Sequence, residues 1–160
     1  YVHGGFYKQL HNENNYNNLK EEIIKLINDY SDYKIYVTGH SLGGALATLF
    51  GYELSNDIEN KVNIISFASP RVGDNAFKKS FNIKSNINHL RVTNHRDIVT
   101  AFPFINYKHV GCNLSLYDNS YELFKNYNYN TWFKFSIFNC WRISDHSMDL
   151  YYKRLLNNKW

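Results

Sequence analysis

Gly39-His40-Ser41-Leu42-Gly43 sets a serine between two glycines in the pattern G-x-S-x-G. A serine hydroxyl attacks a carbonyl only when a neighbouring base takes its proton, and that base needs an acid to hold it. The pattern has a steric reason. A strand turns so sharply into a helix that Ser41 is strained and its hydroxyl exposed, so Gly39 and Gly43 should be positions without room for bulk. In this strand–turn–helix setting the partners follow in the order Ser, Asp, His. Asp97, just beyond a predicted strand, and His146, in Ser144-Asp145-His146-Ser147, satisfy that order. The rivals have plainer readings. His40 is the variable position of the turn, His89 sits on a strand, His95 is two residues from Asp97, and His109 begins a possible strand. Asp74 and Asp118 look like turn or cap residues, and Asp145 is too close to His146 to orient its ring easily. Order and context favour Asp97 and His146 over these.

The elements that must position them follow from periodicity. Leu19, Ile23, Leu26 and Ile27 recur at helical spacing within Asn17 to Tyr30, with Glu21 and Glu22 early in the run. Lys34 to Thr38 is a short β-rich run. After the serine turn, Ala45 to Leu54 reads as a helix rich in small residues. Lys61 to Ala68 is a second strand, Asp74 to Phe81 a short helix, His89 to Asn94 a third strand, and Tyr107 to Tyr117 a possible fourth. Helices alternating with strands predict βαβ units around a parallel sheet, with the site at the carboxyl ends of the strands.

Composition narrows the classes. The 160 residues make one domain, and 44% hydrophobic residues exclude a disordered chain. A net charge of +4 with only 20% charged residues is too mild to argue for nucleic acid. No apolar run approaches the ~18 residues of a membrane span. Two cysteines, Cys112 and Cys140, make no disulfide framework and are either free or paired. Tyr1 opens the chain and Met148 is its only methionine, so the natural start is expected upstream, and any targeting peptide with it. Asparagine is about one residue in seven, in runs such as His11 to Asn18 and Asn126 to Asn130, which favours turns. The sequon Asn113-Leu114-Ser115 is weak evidence in so Asn-rich a chain. Trp132, Phe133, Phe135, Phe138 and Trp141 crowd together, as a core wall or as an apolar binding surface.

Collinear blocks through most of the chain resemble the class 3 (fungal-type) triacylglycerol lipase family. Tyr1-Val2-His3-Gly4-Gly5-Phe6 is similar to its V-H-x-G-F, and Val37 to Ala47 to its nucleophile elbow. Phe67-Ala68-Ser69-Pro70-Arg71-Val72-Gly73-Asp74 resembles its F-G-S-P-R-V-G-N, with Ala68 in place of glycine. Arg91 to Val99 resembles the block with the acid, in which Asn94 to Arg96 is a variable stretch on which nothing turns; Tyr107 to Gly111 resembles a later strand, and Asp145-His146 the base. His3-Gly4-Gly5 also matches the start of the oxyanion loop of other esterases. That arrangement needs two helices and two strands before the serine, where one of each is read here.

The resemblance implies an α/β-hydrolase fold over residues 1–160, a largely parallel sheet flanked by helices. It also implies a single domain of which this is the C-terminal catalytic portion, with the upstream strands and lid expected before Tyr1. It implies ester hydrolysis through an acyl-enzyme, with Ser41 as nucleophile, Asp97 as acid and His146 as base. The backbone N–H of Leu42 would receive the oxyanion, with a second donor from upstream. The implied substrate is a lipid carboxylic ester at an interface, as in triacylglycerol, with no cofactor and no metal; the compartment is left open. The alternatives are another carboxylesterase or phospholipase, and a non-catalytic hydrolase-like domain that binds lipid or protein.

Overall fold

A computed structural model describes residues 1–125 and 142–158. The chain opens with two helices, α1 (Gly4–His11) and α2 (Asn15–Asp29), and enters the sheet through β1 (Ile35–His40). Helix α3 (Leu42–Asp57) leads to β2 (Val62–Phe67), and α4 (Asn75–Asn82) to β3 (Ile87–Asn94). β4 (Cys112–Leu116), β5 (Tyr121–Phe124) and α5 (Met148–Asn157) complete it. The sheet order is β1-β2-β3-β4-β5. The first four strands are parallel and β5 pairs antiparallel with β4. Helices α3 and α4 carry the chain back before β2 and β3, and a long loop with the 3-10 turn Val99–Ala101 does so before β4, so that neighbouring strands run parallel.

The expected elements form, with shifted ends. The predicted helix over Asn17 to Tyr30 is α2, beginning two residues earlier at Asn15. The short helix begins where an aspartate can cap it: Asp74 accepts the Phe77 N–H at 2.9 Å. The fourth strand is shorter than Tyr107 to Tyr117, because Lys108 bridges back to Gly73 instead of joining the sheet. Three elements are additional: α1, β5 and α5. α1 starts on Gly4 and Gly5, poor helix formers, and its buried Leu10 shows that packing overrides propensity there.

Among the described residues two apolar clusters form the core. Leu10, Tyr16, Leu49, Phe50, Leu54, Val62, Ile64, Phe77 and Phe81 belong to the first. Val92, Leu114, Leu116 and Tyr151 belong to the second, with Ile65 and Phe67 against them. Ile64 joins one and Ile65 the other, so they lie on opposite faces of the sheet. α3 is buried over much of its circumference, and its small residues let it lie close to the strands; a Cβ on Gly51 would come within 2.5 Å of Ile64.

Polar groups are also buried, where β3 meets β4. Arg91 donates to Asn113 at 3.0 Å and to the Ser69 carbonyl at 3.1 Å. Asn113 exchanges hydrogen bonds with Thr93. His89 meets Ser66 at 3.0 Å, and burial together with the Arg91 charge pushes its imidazole down to about 3. The Asn113 of the sequon is therefore interior, 1% exposed, with its amide committed to the sheet.

Among the described residues no helix is long and apolar enough to cross a membrane, and no cluster of three His, Cys, Asp or Glu is placed to hold a metal ion. Among the described residues Cys112 has no disulfide partner, and its Sγ lies 3.6 Å from the Lys125 carbonyl. Cys140, the aromatic group Trp132 to Trp141 and the run Asn126 to Asn130 lie outside the described residues.

Candidate active site

Ser41 links the last residue of β1 to the first of α3 with φ 56° and ψ −121°, a region that residues with a side chain rarely occupy. The strain is held by backbone on both sides. The Ser41 N–H donates to the Phe67 carbonyl at 2.9 Å, and its own carbonyl accepts from Ala45 to close the first turn of α3. A Cβ on Gly39 would lie 2.3 Å from the Gly43 carbonyl oxygen, so that position has to be glycine. The expectation for Gly43 is corrected: a Cβ there meets nothing within 4 Å. The second crowded glycine is Gly44, whose added Cβ would sit 3.0 Å from Ser69 and 3.1 Å from two backbone oxygens.

Asp97 follows β3 in a tight turn, with its N–H on the Asn94 carbonyl at 3.0 Å. Its carboxylate is fully buried. Oδ1 accepts the Val99 N–H at 3.0 Å, from the first residue of the short 3-10 turn Val99–Ala101. His146 ends another 3-10 turn, Ile143–His146, and meets the carboxylate through Nδ1 at 3.0 and 3.1 Å. Its Nε2 lies 2.8 Å from Ser41 Oγ. The structure thus brings together the three residues that the sequence singled out, in a continuous hydrogen-bonded line. The Leu42 N–H belongs to the first turn of α3, among the amides that a helix leaves without an internal acceptor.

The rivals are occupied elsewhere. His40 Nε2 donates to the His146 carbonyl at 2.9 Å, with the two rings 4.7 Å apart. His95 stacks on Tyr117, and His89 and His109 are buried. Asp74 caps α4. Asp118 and Asp145 both take hydrogen bonds from Arg154, which holds the Asp118 carboxyl below its usual range. His3 packs on Phe6 and Tyr107 and donates its N–H to the Val72 carbonyl. Two helices and one strand, rather than one helix and one strand, separate it from Ser41.

Three contributors were not legible from the sequence. Tyr151, at 0% exposure, donates to Asp97 Oδ2 at 2.7 Å and accepts the Asn94 N–H at 2.9 Å. Asn94, set aside as part of a variable stretch, also donates from its amide to the Asp145 carbonyl at 2.7 Å. Arg154 pairs with Asp145, the residue before His146, at 2.8 Å. Ser147 followed by Tyr151, Arg154 and Leu155 is the helical spacing that signals α5.

A mostly parallel sheet with a strained serine at a strand-to-helix elbow, completed by an aspartate and a histidine from later loops, defines an α/β-hydrolase fold. Solved structures agree. The chain matches the lipase from Rhizopus microsporus var. chinensis with a TM-score of 0.75 and 29% identity, over 91% of this chain and 52% of that one. Rhizomucor miehei triacylglyceride lipase matches with a TM-score of 0.74 and 29% identity, over 91% and 57%. A family model, Lipase (class 3), matches residues 1–107, and the chain belongs to that family. Among curated relatives, Phospholipase A1-II 3 of Oryza sativa subsp. japonica is 43% identical over 105 residues, 58% of this chain and 25% of the relative. Phospholipase A1-IIgamma of Arabidopsis thaliana is 39% identical over 102 residues, 56% and 24%. The chain spans about a quarter of the length of the curated relatives it matches.

Proposed function

We propose that the chain carries the catalytic portion of a serine hydrolase that cleaves carboxylic esters of lipids through an acyl-enzyme. Ser41 Oγ attacks the ester carbonyl while His146 Nε2 takes its proton. His146 then returns the proton to the leaving alcohol, and a water attacks the acyl-enzyme by the same route. Asp97 fixes the imidazole tautomer with its N–H toward the carboxylate and stabilises the imidazolium that forms. The Leu42 N–H, at the positive end of α3, receives the oxyanion. The observation that carries this reading is the 2.8 Å contact between His146 Nε2 and the hydroxyl of a serine held at positive φ.

The acyl donor has two candidates, each with its own support. The two fungal structures described above are named as a lipase and a triacylglyceride lipase, at 29% identity. The relatives at 39–43% identity are named phospholipases A1, which favours a phospholipid ester as the second reading. Fluorophosphonate labelling of the full chain at a lipid interface, with Ser41→Ala alongside, tests the chemistry. An adduct that peptide mapping places on Ser41, and that the folded variant lacks, is the expected result. A folded chain that takes no label would leave a non-catalytic hydrolase-like domain. Rates on triacylglycerol and on phosphatidylcholine, normalised to labelled serine, then separate the two donors.

A further inference from the structure

Asp97 is buried, the ion pair given for its carboxylate among the described residues is with His146, and its four side-chain contacts there come from three donors. Oδ1 accepts from the Val99 N–H and from His146 Nδ1; Oδ2 accepts from His146 Nδ1 and from the Tyr151 hydroxyl. The backbone donor is local, two residues along the chain. Tyr151 reaches in from α5, on the far side of His146 in sequence. The Asn94 N–H points at the Tyr151 oxygen, so the hydroxyl proton is directed to the carboxylate and away from β3. Edge-on contacts with His40 and Phe67 fix the ring.

We propose that Tyr151 is a positioning residue: its hydroxyl sets where the Asp97 carboxylate points and how much negative charge that carboxylate presents to His146. The proposal rests on the hydrolase reading above. A donor on Oδ2 draws charge from the carboxylate, so the imidazolium is stabilised less than a bare aspartate would stabilise it. Tyr151 therefore tunes the basicity of His146 as well as its orientation. Burial and the neighbouring Asp97 charge push the Tyr151 phenol well up, which keeps its proton in place across the working range. Other ionisable groups also face the pair. The His40 ring lies 4.7 Å from His146, Arg91 on β3 acts on the Tyr151 phenol, and Asp145 carries its charge to Arg154. Replacing Tyr151 leaves each of these in place.

The same helix face serves the other partner. Arg154 lies one turn beyond Tyr151 and anchors Asp145, the residue before His146. α5 is thus fastened to the acid by one side chain and to the turn bearing the base by another.

The test compares Tyr151→Phe, which keeps the ring and removes the donor, with difluorotyrosine at position 151, which keeps the shape and strengthens the donor. Tyr152→Phe, on the exposed side of α5, is the control. Turnover is measured per fluorophosphonate-titrated serine in the full chain. Tyr151→Phe is expected to lower kcat about tenfold, the scale of one hydrogen bond to a charged group, with KM unchanged. Its acid limb should move to higher pH, and that of the difluorotyrosine protein to lower pH. If Tyr151→Phe does not fold, the difluorotyrosine protein carries the test alone. Unmoved limbs and wild-type kcat per labelled serine would overturn the proposal. Absence of label in the wild-type chain would instead overturn the hydrolase reading.

Discussion

Ser41 and His146 meet at 2.8 Å but are held by opposite means. On the serine side, at the junction of β1 and α3, the constraint is backbone. Gly39 lies against the Gly43 carbonyl, Gly44 lies close to Ser69, and the Ser41 N–H is tied to Phe67. On the histidine side, between β3 and α5, the constraint is a set of buried polar side chains: Asn94, Asp145, Tyr151 and Arg154. Backbone contacts are short-range and tolerate little change of volume. Polar side-chain networks are long-range, and they fail when one member is left without its partner.

The histidine side should break hardest. Asp145 and Arg154 are 3% and 5% exposed, so Arg154→Met strands a buried carboxylate. Breaking such a pair costs about 3–5 kcal/mol, whereas an apolar replacement of both partners is often neutral. Urea melts of Arg154→Met and of the Asp145→Leu/Arg154→Met double variant should show a large loss in the first and most of it recovered in the second. Equal losses in both would mean that the pair acts through something other than its charge.

The serine side should break by volume, at Gly39 and not at Gly43. Gly39→Ala forces a Cβ against backbone and is expected to cost about 1–3 kcal/mol or more, with loss of Ser41 labelling. Gly43→Ala has open space and should fold and label as the wild type does. Comparable damage from both would shift the constraint from packing to backbone conformation.

A milder perturbation is acid. His89 is held neutral down to about 3, while the same imidazole in the unfolded chain titrates near ~6.5. The folded form thus gains full benefit from a neutral His89 above that value. As pH falls from there toward 3, the unfolded chain takes up a proton that the folded chain refuses. Stability should drop by roughly 1.4 kcal/mol per pH unit over that window. The slope should flatten in His89→Gln, measured by urea midpoints at pH 7, 6 and 5. An unchanged slope would place the acid sensitivity elsewhere.

The same division explains what the sequence revealed. Ser41 was legible because its constraint is local: Gly39 and the strand and helix around it are adjacent in the chain, and a steric rule converts spacing into geometry. The strands of β1 to β3 were legible for the same reason, through β-branched runs. α5 was not, although Ser147, Tyr151, Arg154 and Leu155 carry its spacing, because its role depends on Asn94 and Asp97 far upstream. Gly43 shows the limit of a motif. The pattern names it, while the crowding falls on its neighbour Gly44. α1 was missed because Gly4 and Gly5 argue against a helix that only packing on α3 supplies.

Asn113 has a consequence for how the chain can be made. Its amide is buried between Thr93 and Arg91, so the sequon it belongs to is closed in the finished fold. Oligosaccharyltransferase acts on extended chains, so in a secretory host sugar transfer and the pairing of β4 with β3 become a race. A chain glycosylated first would carry a sugar where β4 must pair with β3, which blocks closure of the sheet there. A host without that machinery, or Ser115→Ala to remove the acceptor signal, takes the competing reaction away.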